Sequence, residues 1–211
     1  MRKIIISVSV IIFITPAVLF ADMETFYANV VNAASQSVGM QSIPSLNGKR
    51  FTQDCIGYVR YIYYRAGLDI TRAYSIGERG VDSLYYGLME YGFVYTNIIA
   101  NPGDLVFFNN TYDANRNGLW DDPLTHVGII ESIGEYNTMT YIHYASGAVK
   151  RDMINLQYPT THAFRRGDGS LMVINSHLRR NQGEGLPRRA YIASTFYQAF
   201  ARINVRANNS R

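Results

Sequence analysis

Cysteine is almost absent: Cys55 is the single thiol among 211 residues. One thiol cannot close an intramolecular disulfide, so a disulfide-stapled scaffold is excluded and the core itself must hold the fold. The chain also lacks internal repeats, low-complexity tracts, any second long apolar run after the N-terminal one, and any recognisable nucleic-acid-binding motif. The chain beyond the N-terminal run therefore reads as one compact domain with a real core. Acidic residues are scarce at the other end: residues 161–211 hold nine arginines against Asp168 and Glu184, whereas 22–160 hold nine basic against fourteen acidic side chains. The basic character is thus local to the C-terminal quarter. A solvated arginine-rich surface is the simpler reading of it, and a site for an anionic envelope polymer or lipid headgroup the functional one.

Residues 1–21 open on Arg2 and Lys3, continue as an apolar run from Ile4 to Phe20 and end in Ala21 before Asp22. This is the pattern of a secretory signal, and Pro16 with the small residue at 21 favours cleavage over an uncleaved anchor. No cysteine comes directly after the run, so lipid attachment there is excluded. The expected protein is exported, to the periplasm or beyond, after signal cleavage.

The rest divides into helices first and strands second. Phe26, Val30, Ala34 and Val38 recur at spacing four and predict a helix over 22–38 stopped by Gly39. A loop rich in Ser, Pro, Asn and Gly runs to Gln53. Asp54 caps a second helix, with Ile56, Val59, Tyr63 and Ala66 on one face and Gly67 at its end. A third is expected from about Asp82 to Tyr91. Beyond Pro102 the pattern turns to short β-rich segments: 104–108, 125–133, 139–145, 148–156 and 171–175. The class is α+β. Residues 191–200 read equally as helix or strand, after an expected exposed linker at Arg179–Pro187.

A lone cysteine at the first turn of a helix is a candidate nucleophile, because free N–H groups and the helix dipole favour the thiolate; a small buried core residue is the alternative. His126 and His143 lie in two alternating segments joined by a turn at Gly134-Glu135. An antiparallel hairpin centred there sets positions summing to about 269 opposite each other, which puts both rings on one face. Nucleophile, base and a third group that orients the base is the set that thiol catalysis needs. Cys55, His126 and His143 fill those roles in that order. His162 and His177 have no such context and read as structural.

Four motifs in order, Asp54-Cys55-Ile56-Gly57-Tyr58-Val59, Pro102-Gly103-Asp104-Leu105-Val106-Phe107-Phe108, Thr125-His126-Val127-Gly128-Ile129 and Ile142-His143, resemble the NlpC/P60 family of cell-wall cysteine peptidases over about residues 50–156. The resemblance implies a papain-like core with the cysteine helix packed on an antiparallel sheet, and catalytic roles for Cys55, His126 and His143. It also implies that the Cys55 N–H helps form an oxyanion hole, and that Asp54 meets the free amine of a peptidoglycan stem peptide. The substrates implied are stem peptides, among them the bond between D-glutamate and diaminopimelate. Two departures bear on bond preference: Ile56 stands where the family usually has serine, and the upstream loop Ser45–Phe51 lacks the family's frequent Tyr and Gly-Gly pair. The expected organisation is a signal at 1–21, an N-terminal helix and loop at 22–48, a catalytic domain at 49–178 and a basic segment at 179–211. A thiol acyltransferase or amidase on the same fold, or a non-catalytic envelope-binding protein, are the competing functions.

Asp113, Asn115, Asn117 and Asp121 occupy positions one, three, five and nine of a loop whose sixth residue is Gly118. That is the opening of a calcium loop, with the Leu119 carbonyl at position seven as a further oxygen. Position twelve, where an acid is expected, is Leu124; Asp122 is the available substitute, and a polar turn is the alternative. A calcium ion here would be structural, and no organic cofactor is expected.

Overall fold

A computed structural model describes residues 16–73, 80–179 and 191–203. Helix α1 spans Pro16–Gln36, two residues short of the expected C-terminal end. Its Phe26, Val30 and Ala34 are buried, as their spacing requires. Gly39 then adopts φ of +91° and donates its N–H to Val149. Helix α2, Cys55–Arg65, begins where Asp54 accepts a 2.8 Å bond from the Gly57 N–H and ends ahead of Gly67, whose φ of +101° excludes most side chains. Ile56 to Tyr63 are all buried, so α2 is enclosed on every side. Short α3, Ile70–Ala73, and α4, Val81–Glu90, complete the helical layer.

Six antiparallel strands form the sheet. In chain order they are β1 (Val94–Tyr95), β2 (Leu105–Phe108), β3 (His126–Ile133), β4 (Met139–Ala145), β5 (Ala148–Ile154) and, far downstream, β8 (Tyr197–Ala201). The spatial order is β1-β8-β2-β3-β4-β5. Strands β6 (Ala163–Arg165) and β7 (Leu171–Val173) make a separate hairpin, shorter than the expected 171–175. Alternate residues of the main sheet feed two cores. Phe107, Val127, Ile129 and Ile142 face α1, α2 and α4, while Val106, Phe108, Ile130 and Tyr141 face α5 (Ala193–Phe196) and Phe200. Burial of each such large apolar side chain contributes about 1.5–3 kcal/mol.

Three expectations are corrected. The basic segment 179–211, expected apart from the catalytic domain at 49–178, contributes to that domain's sheet in its described part, since β8 lies between β1 and β2 and pairs with both. Residues 191–200 are helix and strand in succession, because a four-residue turn, α5, delivers the chain into the sheet. The arginines described there also serve internally: Arg179 is buried and bonds the Asn110 carbonyl, and Arg202 bonds Asp104 and covers the Tyr27 ring. Arg179 is therefore not open to an anionic polymer, whereas Arg202 keeps about a third of its side chain exposed. Most of the expected linker, 180–187, and residues 1–15 of the expected signal lie outside the described residues. Among the described residues no helix is long and apolar enough to cross a membrane.

The β3–β4 hairpin pairs Ile129 with Ile142 and Ile130 with Tyr141, so its positions sum to 271 rather than 269. A bulge at Glu131 separates this register from the pairs nearer the turn. Because strand side chains alternate with period two, a two-residue offset moves His143 along the face without removing it from that face.

Candidate active site

Cys55 opens α2, half-buried, with its thiol against the Val127 N–H, the backbone group immediately after His126. The cysteine helix and the histidine strand therefore meet at this point. His126 Nε2 lies 2.6 Å from His143 Nδ1, and His143 Nε2 lies 2.9 Å from Asp152 Oδ2. The three side chains come from three neighbouring strands, β3, β4 and β5, in that order. Continuing the observed register sets Gly128 opposite His143, where a Cβ would stand 3.4 Å from the His143 Cβ and 2.8 Å from the Tyr141 ring. The missing side chain at 128 leaves the space through which the His143 ring reaches His126.

Burial dictates the protonation pattern. His126 is 8% and His143 0% exposed, and desolvation holds both below the ordinary histidine range, His126 far below it. Asp152 works against that depression at His143 but does not overcome it. With both rings neutral, the carboxylate can only accept, so the His143 proton sits on Nε2 and its Nδ1 is an acceptor. His126 must then donate from Nε2, which leaves His126 Nδ1 with a free lone pair. A neutral imidazole with a fixed open nitrogen is a general base.

The thiol departs from expectation. Burial pushes Cys55 up to about 11, the Asp54 charge adds to the rise, and the N–H groups of Val127, Ile56 and Cys55 offset only part of it. The resting pair at neutral pH is thiol and imidazole, not thiolate and imidazolium. Desolvation outweighs the helix start here because the Cys55 side chain is packed at the junction of α2 and β3.

Asp54 caps α2 and accepts a second bond from Thr52 Oγ1. It also lines a cleft of about 870 Å³ that contains Cys55 and His126. Asp54 and Asp82 are the acidic residues of that lining, which among the described residues includes no Lys or Arg. Exposed Tyr86 and Tyr112 flank it. Burial raises the Tyr112 phenol, and the charges of Cys55, Asp122 and Asp54 raise it further, so this ring sits near the thiol. Sequence reading missed Asp152 and Tyr112. Asp152 carried a signal: Ser146-Gly147 is a two-residue turn, and the 143↔150 register it imposes places Asp152 on the face of His143. Tyr112 carried none, because a loop residue has no periodicity.

His162 and His177 lie away from this site; His162 Nδ1 bonds the Asn175 carbonyl and the two rings are 4.2 Å apart. Asp113, Asn115, Asn117, Leu119 and Asp121 share the loop between β2 and β3, where Asn115 and Asn117 turn their amides on Asp121. Among the described residues no three His, Cys, Asp or Glu side chains converge as a metal cluster, so any ion in this loop would depend on amide and carbonyl oxygens as well.

The family model described as the NlpC/P60 family matches residues 42–167, more than half of the chain, and the protein belongs to that family. Its fold is the family's α+β papain-like core; the members of that family are, in general, cell-wall hydrolases of the cysteine-peptidase kind. Among solved structures, it is similar to a protein of Staphylococcus aureus subsp. aureus Mu50 described as similar to a lipoprotein of the NLP/P60 family. The identity is 20%, the match covers 59% of this chain and 35% of that one, and the TM-score is 0.34. Comparison with curated proteins yields no significant match.

Proposed function

We propose that this protein is an exported cysteine endopeptidase that hydrolyses peptide bonds in peptidoglycan stem peptides. Cys55 is the nucleophile, His126 the base, His143 its orienter and Asp152 the anchor of His143. The observation that carries this reading is the hydrogen-bonded chain His126–His143–Asp152, whose His126 lines the same cleft as Cys55. Export rests on the N-terminal segment 1–21.

In the reaction the Cys55 proton passes to His126 Nδ1 as sulfur attacks the peptide carbonyl carbon. The Cys55 N–H, at the start of α2, turns from the thiol it bonds at rest to hold the oxyanion. Collapse breaks the C–N bond, His126 returns its proton to the leaving amine, and a thioester remains. Water, deprotonated by His126, then attacks the thioester carbon; the acid leaves and the proton returns to sulfur. The imidazolium that forms twice on His126 is stabilised by donation to His143 Nδ1, with Asp152 behind it. Asp54 and Asp82 suit a cleft that receives an ammonium group, such as the free amine of a stem peptide.

Purified peptidoglycan incubated with the protein and analysed by mass spectrometry tests the reading. New amine and carboxylate termini within the stem peptide are expected from the wild type and none from Cys55→Ala or His126→Ala, with His143→Ala slowed but active. Cleavage by Cys55→Ala at the wild-type rate overturns it. Transfer of the acyl group to an added amine, without hydrolysis, assigns the fold to acyl transfer instead.

A further inference from the structure

Strands β2 and β3 are antiparallel neighbours, which two to five residues suffice to join. Seventeen residues join them here, 109–125. The neck of this excursion is tied shut: Thr125 N–H donates to the Phe108 carbonyl, Asp122 N–H to Asn110 Oδ1, Asn110 N–H to the Asp122 carbonyl, and Leu124 N–H to Asn109 Oδ1. Beyond the neck Asp113, Asn115, Asn117 and Asp121 are joined in one network of loop hydrogen bonds. Asp113 accepts from the Asn117 and Gly118 N–H groups, and Asn117 Oδ1 from the Leu119 N–H. These bonds account for the turn but not for Asp122. Its side chain is directed back into the loop, with Oδ1 accepting from the Asn115 N–H at 3.2 Å. It is 4% exposed, and Oδ2 has no hydrogen-bond partner. A buried carboxylate oxygen without a donor is costly unless a cation meets it.

We propose that residues 113–122 form a calcium site and that buried Asp122 supplies the acid missing at position twelve, where Leu124 stands. Asp113, Asn115, Asn117 and Asp121 side-chain oxygens and the Leu119 carbonyl complete the protein's share of the shell. The donors are all oxygen, which suits a hard cation, and the mixture of carboxylate, amide and carbonyl groups on one flexible loop suits calcium above magnesium. The ion has a consequence for the site already described. Tyr112 and Ala114 line the catalytic cleft, and the loop ends four residues before His126, so ordering the loop sets one wall of the cleft.

Trp120, the single tryptophan of the chain, lies inside this loop and packs on Tyr191 and Phe196. It is a built-in sensitiser for terbium, whose coordination chemistry is close to that of calcium. Purified protein titrated with terbium, excited at the tryptophan band, is expected to show saturable emission that calcium displaces in the micromolar to millimolar range of about 10⁻⁵–10⁻³ M and that equal magnesium leaves in place. Asp122→Asn is expected to weaken calcium at least tenfold, and Asp113→Ala to abolish displacement. Should Asp122→Asn not fold, Asn117→Ala at an exposed position is expected to weaken calcium while keeping the wild-type circular dichroism spectrum. The melting temperature should rise with calcium in the wild type alone. Absence of saturable emission, or unchanged calcium affinity in both Asp113→Ala and Asn117→Ala, overturns the proposal.

Discussion

At the scale of the residue, the site is built on proton positions rather than on standing charge. Asp152 decides which nitrogen of His143 carries the proton, and through it which nitrogen of His126 is free. Asp152→Ala is therefore expected to lower kcat about 10–100-fold, the usual cost of losing a group that orients another, with KM little changed. Steady-state kinetics on a soluble stem peptide would show this split; an unaltered kcat would leave Asp152 as a surface ion. Both histidines sit below 6.5 through burial, so His126 stays unprotonated at pH values where an exposed histidine is half charged. The acid limb of the kcat/KM profile is accordingly expected below pH 6.5. The Cys55 thiol, raised to about 11, is expected to alkylate with iodoacetamide ever faster as pH increases from 7 to 10, without the neutral plateau of a preformed thiolate.

At the scale of the element, two glycines set how α2 and the strands approach. A Cβ on Gly57 would fall 2.0 Å from the Thr52 carbonyl, a backbone atom that cannot swing aside. Gly57→Ala should consequently push α2 from its seat on the Thr52–Asp54 turn and destabilise the fold by about 1–3 kcal/mol or more, read as a lower urea midpoint. Gly128→Ala meets the buried Tyr141 ring at 2.8 Å and, less closely, the Ile142 carbonyl and the His143 Cβ. Its expected effect is a loss of kcat as well as of stability, since the displaced Tyr141 ring packs on the His143 ring that orients His126. Equal losses of both from the two variants would mean that Gly128 is only a packing residue.

At the scale of the whole molecule, the sheet is closed from the far end of the chain. β8 lies between β1 and β2, and Phe200 and Ala201 are fully buried. Truncation after Leu178 removes an inner strand and bares the edge of β2, so the product is expected to be insoluble or unfolded by circular dichroism. A folded, active truncation would contradict the observed strand order. The buried histidines also tie stability to pH. Held neutral when folded and protonating near 6.5 when unfolded, they bind more protons in the unfolded chain, so stability is complete above pH 6.5 and falls as pH drops below it. Urea midpoints measured between pH 7.5 and 5 are expected to decline, and less so in His143→Gln.

Much of this was legible in the chain itself. Spacing four located α1, Asp54 and Gly67 bounded α2, and alternation found β3 and β4, because these signals arise from contacts between residues near in sequence. The same alternation put His126 and His143 on one face, and the two-residue offset in register did not part them. Asp152 was within reach through the Ser146-Gly147 turn. Tertiary structure alone decided the rest. The state of Cys55 depends on how the start of α2 is packed, the place of residues 197–201 on a pairing with strands about ninety to just over a hundred residues away, and the burial of Asp122 on packing that no local pattern records. Periodicity encodes which way a side chain faces; it does not encode what stands opposite once distant segments meet.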